Sequence, residues 1–140
     1  MSLNIELLET SFQAVSPRAD DLMDIFYDKL FAQHPQVKSL FETVDMAKQK
    51  KQLFASLALV VRNLRKPEVL TDAVGKLGIR HVGYGVRAEH YPLVGQALLE
   101  ALAEVAGGAW NEELEQAWAD AYEALTGIIH NAVRDAQRAA

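Results

Sequence analysis

The sequence contains no cysteine among its 140 residues. Its absence excludes disulfide bonds, thiolate metal ligands, iron–sulfur clusters and cysteine nucleophiles, which leaves histidine, carboxylate, tyrosine and amide groups to carry polar chemistry. Positive charge is also scarce: the formal net charge is −5, and the only dense basic stretch is KQKK at 48–51. A nucleic-acid binder needs cationic side chains to neutralise phosphates, so no nucleic-acid partner is expected.

Long apolar runs are missing as well. No run of about 18 uncharged apolar residues occurs, so no membrane span is predicted. The opening MSLNIELLET carries acidic residues where a secretion signal would have a basic start and an apolar stretch, and we therefore expect a cytoplasmic protein. Half of the residues are hydrophobic, enough for one core. We expect a single domain over residues 1–140, monomeric or weakly homodimeric, with no reductase or sensor domain.

No alternating strand pattern appears, and helical spacing of apolar residues predicts an all-α fold. A first helix is expected from about Leu3 to Val15. Ser16 and Pro17 then predict an N-cap and a first helical position, and the second helix should end at His34, which precedes a proline. Further helices are predicted from about Met46 to Leu64, Val69 to Arg80, His90 to the Gly107-Gly108 stop, and onward from about Asn111.

Four histidines occur, at positions 34, 81, 90 and 130. His34 and His130 are assigned structural roles, and His90 is explained by capping at a helix start. His81 differs because it ends a predicted helix directly before a glycine-rich turn. Regular backbone would hold its side chain while the turn leaves room for a bulky group nearby.

Tyr27 and Gln49 are polar residues on otherwise apolar helix faces, where a buried polar group needs a partner. A backbone carbonyl or a water would satisfy each of them. Together with His81 they suggest another reading, since one strong axial ligand and distal hydrogen-bond donors in an apolar helical pocket are typical of a five-coordinate haem site. Neither an E-x-x-H metal spacing nor a phosphate-binding glycine loop supports a competing chemistry.

Five segments carry a family resemblance: FYDKLFAQHPQVKSLF at 26–41, Gln49 with Leu53, RHVGYGV around His81, HYPLVGQALL at 90–99, and AWADAY at 117–122. In this order they resemble a globin, and more closely the single-domain bacterial haemoglobins that are similar to the haem domain of flavohaemoglobins. The resemblance implies a globin fold of about six to eight helices in a three-over-three sandwich that encloses haem b.

The resemblance also implies the roles of individual residues. It makes His81 the proximal iron ligand and Tyr27 and Gln49 the distal polar residues. It places Phe41 against the haem and Leu53 over the ligand. Two further matches are Tyr91, as a tyrosine near the proximal histidine, and Arg80, as a basic residue near a haem propionate.

Two departures from the flavohaemoglobin pattern stand out. A glutamate expected on the last helix falls at Val133, which cannot accept a hydrogen bond, although Asp135 lies close in sequence. The chain also ends after this helix, without a flavin or nicotinamide domain. We therefore expect that turnover would need a separate electron-donating reductase.

The resemblance implies oxygen binding or transport, that is, reversible binding of dioxygen and of nitric oxide or carbon monoxide. One alternative is an enzyme, a nitric oxide dioxygenase served by a separate reductase, or related nitrite or peroxide chemistry. Another is a haem-free, globin-like interaction module in which His81 is a core residue.

Overall fold

The computed structural model describes residues 3–83 and 85–139, so position 84 of the RHVGYGV segment lies outside the description. Within these ranges the chain forms α-helices and short 3-10 turns and no β-strand, which confirms the all-α prediction. The helices are α1 (Ile5–Val15), α2 (Ala19–Gln33), α3 (Met46–Arg62), α4 (Pro67–Gly83), α5 (His90–Ala106) and α6 (Glu112–Ala139).

The helix contacts fit a three-over-three arrangement. Helices α1 and α3 touch each other in one layer, while α2 and α6 both pack on α5 in the other layer. Contacts of α4 and α1 with α6, and of α2 with α3, join the two layers. Helices of this kind pack by burying one apolar stripe each.

The best-packed part of the core lies where α2 meets α5. Leu22 of α2 and Ala97 and Ala101 of α5 are all fully buried. The two alanines lie one turn apart, and their small side chains allow a neighbouring helix to approach closely. The contact between α2 and α5 is therefore a fully buried part of the core.

Helix α4 approaches α6 through glycine. A Cβ atom on Gly78 would lie 2.6 Å from Cγ2 of Ile129, and one on Gly75 would lie 3.2 Å from Cβ of Ala132. Only glycine fits the closer of these contacts, so the distance between α4 and α6 depends on Gly78. Because His81 lies one turn after Gly78, this contact also sets where His81 stands.

Several helix boundaries agree with the sequence predictions. Helix α5 begins at His90, and His34 follows the last residue of α2, with its N–H donating to the Leu30 carbonyl. Before α6, the Asn111 side chain accepts a hydrogen bond from Leu114 N at 2.9 Å. The proline rule at the end of α2 and the cap before α6 are therefore confirmed, whereas the N-cap of α5 is Glu89, which makes no side-chain cap bond.

The predicted cap at Ser16 is wrong. The Ser16 hydroxyl donates backwards to the Phe12 carbonyl at 2.7 Å, Ser16–Arg18 forms a 3-10 turn, and α2 begins only at Ala19. Helix α4 also differs, because it starts at Pro67 and runs to Gly83. His81 accordingly lies inside the last turn of α4 and not at its end. Among the described helices, none combines the length and apolar character needed to cross a bilayer.

A Gly78→Ala substitution should lower the free energy of unfolding by about 1–3 kcal/mol, because the added methyl overlaps Ile129. Gly127→Ala is the matched control, since it adds the same methyl on α6 with no atom within 4 Å. The control should gain about 0.5–1 kcal/mol from better helix propensity. Urea unfolding measures both, and equal stabilities for the two variants would contradict the close contact.

Candidate functional site

A cavity of about 210 Å³ lies among the helices, with walls from α2, α3, α4, α5 and α6. Most of its lining side chains are apolar. All but one of the residues singled out from the sequence line it: Tyr27, Phe41, Gln49, Leu53, His81 and Tyr91. The exception is Arg80, which is exposed and lies outside the lining. The fold therefore brings residues up to 64 positions apart, from Tyr27 to Tyr91, to one apolar space.

His81 is a half-buried residue whose tautomer is set by its own helix. Its Nδ1 atom lies 2.8 Å from the Leu77 carbonyl oxygen. A carbonyl can only accept, so Nδ1 must carry the proton and the lone pair of the neutral ring lies on Nε2. Burial, and to a lesser degree the positive charge of Arg80, lower the pKa of His81, while the bond to Leu77 opposes the shift. The lowered pKa favours the neutral imidazole, the form that binds a metal ion.

Tyr27 is 3% exposed and pairs with Gln49 across two helices. The Gln49 Nε2 group donates to the Tyr27 hydroxyl oxygen at 3.2 Å. The two residues therefore satisfy each other, which replaces the expectation of a backbone carbonyl or a water for each. Because the phenol accepts in this bond, its own proton is left to donate to a third group.

Aromatic rings hold the Tyr27 phenol in place. The ring centroids of Phe26, Phe31 and Phe41 lie 4.8, 5.8 and 5.7 Å from that of Tyr27. Burial raises the pKa of Tyr27, and the Gln49 bond only partly offsets this. The phenol therefore stays protonated, and remains a donor, well above neutral pH.

Phe41 and Leu53 complete this side of the cavity as half-buried apolar residues. Leu53 lies one helical turn after Gln49 on α3, which places the amide and the apolar side chain on one face. The apolar stripe predicted for this helix therefore faces the cavity. The assigned contacts of Phe41 and Leu53 with a haem and its ligand stay predictions.

Tyr91 is half-buried and lies beside His130, with ring centroids 5.5 Å apart in an edge-on arrangement. Burial raises the pKa of Tyr91. Its predicted place near the proximal histidine fits a position on the same cavity as His81. His130, assigned a structural role, is exposed and packs on the outer side of Tyr91.

A second, smaller pocket of about 140 Å³ opens behind Tyr91. Val133 lines it together with His130 and Arg134, and no carboxylate belongs to its described lining. Asp135, the nearby acid, is exposed and has its Oδ1 atom 3.9 Å from Arg134 Nε. The shift in register that would bring Asp135 towards Tyr91 is therefore not found.

The sequence did not single out Tyr122 as a site residue, yet it lines the cavity and fixes the start of α5. Its hydroxyl donates to the Tyr91 carbonyl at 2.6 Å. Its ring fills the space above Gly95, where a Cβ atom would lie 2.5 Å from Tyr122 Cε2. The AWADAY segment contains this tyrosine, but only the tertiary contact shows that its hydroxyl binds the Tyr91 carbonyl.

His90 is the other cavity residue that the sequence analysis did not assign to the site. It begins α5 as predicted, but it also lines the cavity. Its Nδ1 atom accepts a hydrogen bond from the Arg87 backbone N–H at 2.9 Å. The polar residues on the cavity thus include His81 on α4, the phenol–amide pair on α2 and α3, and His90, Tyr91 and Tyr122 on α5 and α6, together with Ser56 and Thr126. An apolar cavity with an imidazole on one helix and a phenol–amide donor pair on two others fits haem.

Alkaline pH should test the burial of Tyr27. The raised pKa means that the unfolded chain loses its phenol proton first, at about pH 10, so stability should fall as the pH rises above that value. Tyr27→Phe should make the fall shallower. Urea unfolding at a series of pH values measures it. Phe12→Leu, which removes a core ring that packs on Phe54 and Trp118, should keep the wild-type slope, and an unchanged slope in Tyr27→Phe would contradict the assignment.

Comparison with known proteins identifies related chains. The family model "Globin" matches residues 24–129. The chain is 34% identical over 125 residues to a flavohemoprotein of Deinococcus radiodurans, covering 88% of this chain and 31% of that protein. It is also 34% identical over 106 residues to a flavohemoprotein of Rhizobium meliloti, covering 74% and 26%. The chain thus spans about a third or less of the length of these relatives.

Two solved structures share the fold across nearly the whole chain. One is an engineered carbene transferase, RmaNOD Q52V, a putative nitric oxide dioxygenase from Rhodothermus marinus. It has a TM-score of 0.84 and 29% identity, with 96% of this chain and 94% of that chain covered. The other is a bacterial globin from Campylobacter jejuni, with a TM-score of 0.83, 26% identity and 96% of each chain covered. The family match and the flavohemoprotein relatives imply that the cofactor is haem. The chain belongs to the globin family.

Proposed function

We propose that this chain binds haem b through His81 and reversibly binds dioxygen in the central cavity. The observation that carries the proposal is that a neutral imidazole with its lone pair on Nε2 lines the same apolar cavity as the paired Tyr27 and Gln49. The sequence holds no cysteine for a thioether link, which supports a non-covalently held haem of the b type.

When haem is bound, its iron supplies the position at which a diatomic ligand is held. The chain contributes the surroundings. The Tyr27 hydroxyl accepts from Gln49 Nε2, so its own proton would be the one to donate to the bound ligand. The apolar walls exclude water, which strengthens a hydrogen bond formed inside the cavity.

Nitric oxide dioxygenation is the second candidate, and the likeness to the putative nitric oxide dioxygenase of Rhodothermus marinus favours it. The same Tyr27 and Gln49 donors would serve this reaction. Repeated turnover would also need an electron donor that reduces the haem iron after each cycle. Steady consumption of nitric oxide with a reductase supports the enzyme, and a single stoichiometric turnover leaves a binding protein.

An absorption spectrum tests haem ligation. The protein with added haem should show an intense Soret band, and His81→Ala should lose or strongly weaken it, because the variant lacks the α4 imidazole while the Nδ1 atom of His90 is engaged by the Arg87 N–H. His130→Ala, at an exposed position, is the control and should keep the band. An unchanged Soret band in His81→Ala would overturn the assignment, and a colourless wild type would favour the haem-free module.

Removal of the Tyr27 hydroxyl should speed dioxygen release. One hydrogen bond to a partly charged ligand contributes roughly 1.5–3 kcal/mol, which corresponds to about a ten- to hundredfold change in rate. Stopped-flow measurement on Tyr27→Phe gives the value. Gln49→Leu keeps the phenol but removes its restraint, so its release should be accelerated less. A release rate equal to the wild type in Tyr27→Phe would remove Tyr27 from the ligand side of the cavity.

A further inference from the structure

His90 is a half-buried residue at the point where the α4–α5 turn meets the cavity. Two reciprocal hydrogen bonds hold it. The His90 backbone N–H donates to the Arg87 carbonyl at 3.0 Å, and the Arg87 backbone N–H donates to His90 Nδ1 at 2.9 Å. This arrangement resembles a capping box, in which the side chain of a residue near a helix start accepts a hydrogen bond from the backbone N–H three residues earlier.

The tautomer of His90 follows from this pairing. A backbone N–H can only donate, so Nδ1 carries no proton and the neutral ring has its proton on Nε2. The Nε2 atom of His90 is therefore a donor, whereas the Nε2 atom of His81 carries a lone pair. Both histidines line one cavity, and their Nε2 atoms differ in hydrogen-bonding character.

The surroundings of His90 favour a negatively charged partner. It is the first residue of α5, a helix of 17 residues, whose N-terminus carries partial positive charge. Arg87 adds a full positive charge in the same turn, partly balanced by Glu89, whose Oε1 atom lies 3.7 Å from Arg87 Nη1. Val86 and Val94, the neighbouring lining residues on either side of His90 and Tyr91, are apolar.

From this geometry we propose that His90 donates from Nε2 to a carboxylate of the molecule that fills the cavity, and that this carboxylate is a haem propionate. The inference rests on the proposed function, since it names the contact that orients haem in the same site. The apolar body of haem then lies among the helices, and its carboxylate lies at the α4–α5 turn. Arg80, the residue that the sequence resemblance put in this role, is exposed and does not line the cavity.

A matched pair of variants distinguishes loss of the His90 Nε2 donor from loss of the hydrogen bond that His90 makes to the Arg87 N–H. In both His90→Gln and His90→Glu, a side-chain oxygen remains to accept from Arg87 N–H, as in a capping box. Glutamine also keeps an N–H donor, whereas glutamate places a negative charge where the carboxylate would lie. Urea unfolding of the haem-free proteins checks that both variants fold.

The measurement is the rate at which haem transfers from each protein to an excess of a high-affinity haem scavenger, followed by the Soret band. His90→Glu should lose haem about tenfold faster than His90→Gln, the change expected when one charge-assisted hydrogen bond is lost. The probe that identifies the carboxylate is haem dimethyl ester, in which both propionates are esterified. With this probe the difference between the two variants should disappear.

Equal transfer rates for the two variants, or a difference that persists with the dimethyl ester, would overturn the role of His90. So would faster haem loss in Arg80→Gln with no effect of His90→Glu, because the carboxylate would then lie beside α4. If His81→Ala binds haem as the wild type does, the proposed function itself fails. That result is distinguishable because it appears in the spectrum before any transfer rate is measured.

Discussion

The close approach of α4 to α6 determines the shape of the cavity. Gly78 lies against Ile129 at a distance that leaves no room for a side chain, and the next turn of α4 carries His81. Because the His81 ring is also bonded to the Leu77 carbonyl, both its position and its tautomer follow from the backbone of one helix. A shift of α4 along or away from α6 would move the imidazole with it, since packed interiors transmit displacement.

The polar groups singled out in the cavity are restrained by hydrogen bonds to one another or to the neighbouring backbone. Gln49 restrains Tyr27, Tyr122 restrains the start of α5, and Arg87 restrains His90. Buried polar groups cost free energy when they lack partners, so such pairs allow a mostly apolar interior to keep hydrogen-bonding groups in fixed orientations. The interior is thus prepared for a large apolar molecule that also needs a few directed contacts.

The order of the helices and most of their ends could be predicted from the sequence, because capping and apolar spacing are local. Gln49 and Tyr27 were found for the same reason, since each interrupts an apolar stripe. Ser16 was misassigned because its hydroxyl has two backbone choices, and only the structure shows that it bonds back to Phe12. The role of His90 was hidden because its tautomer depends on a turn whose geometry no pattern of residue types specifies.

The contact between Gly95 and Tyr122 limits which substitutions can accumulate at these two positions during evolution. The phenol ring occupies the volume that any side chain at position 95 would need, so the two positions are complementary in size. A larger residue at 95 would be tolerated only together with a smaller one at 122, and that smaller residue would also give up the bond to the Tyr91 carbonyl. Related chains should therefore exchange these two residues as a pair, with a new partner supplied for the carbonyl at the start of α5.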